Sequence, residues 1–196
     1  GCKSPTSDGS LAPSLWKTQL PESCTVNPGT VNGAFIRRNG KSMASYYGPK
    51  TADTLLLTHH RRDVTTVALE NPYESTIVVA PAASEELFSK TGEHWEAFWR
   101  NRFHYYTQQS TKILVEPMKV DRWVEDGDEI AWQDLKFKVL ATPGFTRGAV
   151  SYIAKIDVKP IAFTGDLLYG DGKIIALYSF QDATPEATVG WARGYG

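Results

Sequence analysis

The chain has 196 residues, 41% of them hydrophobic and 22% charged, with a formal net charge of -1. That length allows one domain with a sizeable core, and 21 basic against 22 acidic residues leave no basic excess of the kind a nucleic-acid footprint carries. Aromatic side chains make up 12% of the chain, too many to leave in water as a disordered segment, and no run of about 18 apolar residues provides a membrane-spanning helix.

The opening stretch, Gly1 to Ser10, is small and polar, and residues 1–15 are expected to form a flexible N-terminal segment before a domain over 16–196. Cys2 within it suits the tether of a processed lipoprotein, so the expected location is cytoplasmic, or exported as a lipoprotein if Cys2 is lipidated. Cys2 and Cys24 are the two cysteines and make no disulfide framework or metal spacing.

From Trp16 onward, strand and helix signals alternate. Asn32 to Ile36 reads as a strand, and Asn39-Gly40 after it is a strong hairpin turn. Thr54 to Thr58 is a short apolar run ending in a polar cluster, the pattern of a buried strand. Thr76 to Ala80 is another, stopped by Pro81, after which Ser84 with Glu85 and Glu86 can open a helix. Between Glu93 and Gln109, Trp95, Phe98, Trp99, Phe103 and Tyr106 fall at helical spacing, which suits core packing better than an exposed docking stripe. Val120 to Val124 and the apolar positions Trp132, Leu135, Phe137, Val139 and Leu140 return to strands, with Asp126-Gly127 marking a turn between them. Thr142-Pro143-Gly144 breaks the pattern before Ala149 to Ala154, and Ile161 to Asp166 is a strand with a carboxylate at its end. The result is one mixed α/β layer structure.

Three segments share a design in which an apolar strand ends in a polar turn: Leu55 to Val64, Val139 to Gly148, and Ala162 to Asp166. Strand ends aim loops from a rigid scaffold, which is where catalytic groups commonly sit. With Glu125 to Ile130, Phe137 to Gly144, Ala149 to Tyr152 and Phe163 to Asp166, their order resembles the metallo-β-lactamase superfamily, the hydrolase fold that includes glyoxalase II. The resemblance runs from about Thr30 to Asp166. It implies an α/β fold, an αβ/βα four-layer sandwich with two mixed sheets face to face, helices outside and a metal site at one sheet edge. Against that fold the C-terminal part is expected to be incomplete.

The resemblance implies a pattern Thr-His-x-His-x-Asp-His on the first segment, and this sequence departs from it. His59 and Asp63 match, but Arg61 and Val64 stand where two histidines belong, and Phe145 replaces the histidine after Thr-Pro-Gly. Asp166 matches the carboxylate that bridges two metals, and no histidine follows it. The residual ligands are therefore His59, Asp63 and Asp166. His60 is a weaker candidate, because neighbouring side chains on an extended segment point to opposite faces. Zinc at a catalytic site takes three protein ligands plus water, whereas a guanidinium cannot give up its proton to bind a cation and repels one. No resident cofactor is expected, with zinc or another divalent metal at low occupancy as the alternative. Arg61 is instead expected to pair with the Asp63 and Asp166 carboxylates where the metals would lie, Val64 and Phe145 filling the rest.

The functional expectation is a non-hydrolytic or weakly active homologue. One alternative is a hydrolase of esters, thioesters, lactams or phosphodiesters with a single atypical metal and Asp63 as candidate general base. The other is an interaction module of a longer protein that docks through the aromatic helix. The expected partner is a small molecule or a protein, not nucleic acid.

Overall fold

The computed structural model describes residues 20–27, 33–45, 52–62, 65, 75–101, 113–169 and 173–174. In chain order, the first six strands are β1 (Cys24–Asn27), β2 (Gly33–Arg38), β3 (Lys41–Ser45), β4 (Thr54–Leu56), β5 (Ile77–Pro81) and β6 (Arg122–Val124). They form one sheet in that same order. The first three strands pair antiparallel and the rest parallel, so the sheet is mixed. The antiparallel half follows from the hairpin at Asn39-Gly40, whose φ values of 50° and 76° place both residues in the left-handed region a tight hairpin needs. The parallel half needs crossovers. The β5 to β6 crossover carries helices α1 (Glu85–Ser89) and α2 (Thr91–Asn101).

A second sheet follows the Asp126-Gly127 turn, where Gly127 has φ 87° and its N–H donates to the Val139 carbonyl. Strands β7 (Glu129–Trp132), β8 (Leu135–Ala141), β9 (Val150–Ile156) and β10 (Lys159–Phe163) pair as an antiparallel meander. A two-stranded ribbon, β11 (Leu168–Tyr169) and β12 (Lys173–Ile174), lies beyond it. No described helix is long and apolar enough to cross a membrane.

Period-two alternation sorts the side chains into layers. Ile36, Met43, Leu56, Val79 and Val124 of the first sheet meet Ile130, Phe137, Val139, Tyr152 and Ile156 of the second in one shared core. The intervening positions, Phe35, Ala44, Leu55, Val78 and Ala80, face the other way and pack with Phe88, Leu114 and Met118. Helix α1 thus covers the outer side of the first sheet, with Phe88 wholly buried. Trp95, half-buried on α2, donates its indole N–H to the Leu114 carbonyl at 2.9 Å, so this member of the aromatic stripe packs inward. The side chains of Phe98 and Trp99, and residues 103–109, lie outside the described residues.

The β9–β10 hairpin turns at Asp157 (φ 45°) and Val158 (φ 66°) with no glycine. A β-branched residue in the left-handed region costs roughly 1–2 kcal/mol, and Val158 is 81% exposed, so it recovers little by packing. Val158→Gly is expected to stabilise the protein by about 0.5–1 kcal/mol after the flexibility cost of glycine is subtracted. Thermal unfolding of the two proteins checks this, and a lower Tm for the glycine variant would contradict it.

Candidate functional site

The three polar strand ends picked out in the sequence converge. The Val150 N–H donates to the Thr58 carbonyl at 2.9 Å, which docks the residues after β4 on the start of β9. Tyr152, fully buried, donates its hydroxyl proton to the Leu57 carbonyl at 2.7 Å, and burial pushes that phenol above its ordinary range. Residues 57–61 are therefore gripped from the second sheet as they leave the first.

Along 59–61 the side chains alternate. His59 Nε2 lies 2.9 Å from Asp166 Oδ2, across 107 residues of chain. Asp166 sits in a 3-10 turn (Gly165–Leu167) that follows β10, so the strand stops at Phe163, short of the carboxylate. Arg61, only 7% exposed, holds its guanidinium carbon 5.1 Å from the centre of the Phe145 ring, and that ring lies 5.2 Å from the His59 imidazole. The Arg61 backbone N–H donates to His59 Nδ1 at 3.2 Å, and the Arg61 carbonyl accepts both the N–H and the hydroxyl of Thr65.

His60 points elsewhere. Its Nδ1 meets Ser84 Oγ at 3.2 Å, and both residues are 2% exposed. Burial above all, with His59, Arg61 and His94 nearby, holds His60 well below its ordinary value, which favours the neutral imidazole. Ser84 does occupy the residue before α1, but its hydroxyl is spent on His60 and makes no cap bond to the helix. The loop carrying Phe145 closes against the same spot: a Cβ on Gly148 would lie 2.6 Å from Ser84 Oγ. Ser84, Gly148 and Tyr152 position the site; Gly148 and Tyr152 end segments that carry the resemblance without a role assigned to them, and Ser84 lies outside those segments. Ser84 had a sequence signal, though for a different job.

Among the described residues, no three of His, Cys, Asp and Glu stand together as a set able to hold one metal ion. Asp63 and Val64 lie outside the described residues. The described groups at the centre are thus one imidazole, one carboxylate, one guanidinium and one phenyl ring. A divalent ion would have to share that space with the Arg61 charge, which disfavours it.

Three comparisons bear on this arrangement. The family model for the metallo-beta-lactamase superfamily matches residues 73–192. A 53-residue stretch is 49% identical to a hydroxyacylglutathione hydrolase of Brucella anthropi, and 45% identical to that of Brucella ovis. The match spans 27% of this chain and only 20% of either relative's length. Among solved structures, a subclass B3 metallo-beta-lactamase of Bradyrhizobium japonicum superposes with TM-score 0.55 at 15% identity, covering 90% of this chain and 70% of that one. A Cronobacter sakazakii metallo-beta-lactamase described by its HARLDQ motif gives TM-score 0.54 at 14% identity, covering 83% and 66%.

Proposed function

Since this chain belongs to the metallo-beta-lactamase superfamily, we propose that it is a member in which the two-metal centre has been replaced, leaving a non-hydrolytic or weakly hydrolytic binding domain. The observation that carries this reading is Arg61, buried and stacked on Phe145 beside His59. Two positions where the family places metal-binding histidines thus hold a fixed cation and an apolar ring that supports it. Such a pair is worth roughly 0.5–2 kcal/mol, and it places positive charge where a metal would have to enter. Ester, thioester, lactam and phosphodiester substrates would lack a metal-activated water in such a site.

A second reading has its own support. The Cronobacter sakazakii motif, read letter by letter, has His, Arg and Asp in its first, third and fifth places, the same spacing as His59, Arg61 and Asp63. An arginine there is therefore a variant found elsewhere in the superfamily. On this reading His59, Asp63 and Asp166, with His60 as a weaker candidate, would hold one divalent ion. That ion would supply an activated water for attack on a thioester, ester, lactam or phosphodiester, with Asp63 placed to accept a proton.

Hydrolysis assays separate the two. A hydroxyacylglutathione thioester and a β-lactam are each incubated with the full chain and with His59→Ala, in the presence of zinc or manganese. The expected result is background turnover that His59→Ala does not change. Turnover above background that vanishes in His59→Ala would establish the single-metal hydrolase instead.

A further inference from the structure

His59 has two ring nitrogens, and both are engaged. Nδ1 accepts the Arg61 backbone N–H at 3.2 Å, and Nε2 lies 2.9 Å from Asp166 Oδ2. A backbone amide can only donate, so Nδ1 must present its lone pair. An imidazole with one N–H then carries it on Nε2, aimed at the carboxylate. From this geometry we infer that a proton stands between His59 and Asp166 where the superfamily places a metal ion, fixed there by the Arg61 amide. The inference rests on the replaced-centre reading above.

The arrangement runs opposite to that of a metal ligand. A histidine bound to metal through Nε2 keeps its proton on Nδ1 and donates it to a carboxylate, carbonyl or water. Here the partner of Nδ1 is another donor. Metal on Nε2 would set N–H against N–H at Arg61, so the amide must first turn away. The buried surroundings strengthen the lock: His59 is 1% exposed, its loop is docked through Thr58 on β9, and Tyr152 holds the preceding carbonyl. The proton also makes His59 a tie between the loop after β4 and the turn after β10, joining the two sheets at their loop ends.

The test is long-range nitrogen–proton correlation spectroscopy on the full chain labelled at histidine nitrogen, with His59 identified by loss of its signals in His59→Gln. The expected spectrum shows protonated Nε2 and unprotonated Nδ1 for His59, unchanged by equimolar zinc. Asp166→Asn, which retains a carbonyl acceptor, is expected to keep the same tautomer. A His59 proton on Nδ1 in the zinc-free protein, with no response to zinc, overturns this inference while leaving the replaced-centre reading intact. A zinc-dependent shift of Nε2 overturns both.

Discussion

Phe137→Ala is expected to lower the unfolding free energy by roughly 3–5 kcal/mol, a large share of what a single domain of this size holds in reserve. Phe137 is fully buried on β8, on the face that meets Ile36, Met43, Leu56 and Val79 of the first sheet. Its removal leaves a cavity at the centre of the shared core, which neither sheet can collapse to fill without losing its own register. The Phe137 ring also contacts Phe163 at 6.1 Å between centres, and Phe163 ends β10 just before the turn that carries Asp166. Loosening it should free that turn, so the His59–Asp166 contact is expected to weaken in the same variant. Denaturant unfolding measures the first effect. A cost below about 1 kcal/mol would mean that the two sheets do not depend on each other as described.

The other large effect concerns metal. The triple variant Arg61→His, Val64→His and Phe145→His removes the buried cation and adds three imidazoles to His59, Asp63 and Asp166. Zinc affinity is expected to rise by more than about 100-fold over the natural chain, because outer-shell partners alone are worth roughly 10–100-fold and these are direct ligands. Turning the backbone amide of position 61 away from His59 costs about one hydrogen bond, roughly 1 kcal/mol. A full zinc ligand set supplies on the order of 10–16 kcal/mol, so the proton would give way. Isothermal titration with zinc, on protein shown by circular dichroism to be folded, gives the comparison. Equal, weak binding by both proteins would show that something other than these three side chains prevents a metal centre.

Much of the architecture was legible because it is written locally. Asn39-Gly40 announces a left-handed turn through its residue types, and the apolar runs around Leu56 and Val79 announce parallel strands buried on both faces. The convergence of His59, Phe145 and Asp166 was legible only through the resemblance, since their contacts span long stretches of chain. At the Asp157-Val158 turn only Asp157 is a turn-forming residue; the strand pairing forces on Val158 a φ of 66° that a β-branched residue disfavours. Ser84 misled in an instructive way. Its place before two glutamates is the pattern of a helix cap, yet the approach of His60 gives its hydroxyl a partner that no local window contains. Charge alone predicts carboxylate partners for Arg61, and Asp63, one of the two named, lies outside the described residues; the face of Phe145, which its guanidinium meets, is a partner that charge does not announce.

Elemental analysis of the natural full chain, expressed with zinc and manganese in the medium and purified without chelator, bears most directly on the replaced centre. The expected content is well below one metal ion per chain, unaltered by His59→Ala. One tightly held ion per chain, lost in His59→Ala and in Asp166→Ala, would contradict it and make this a metal-dependent hydrolase site with an arginine in its wall.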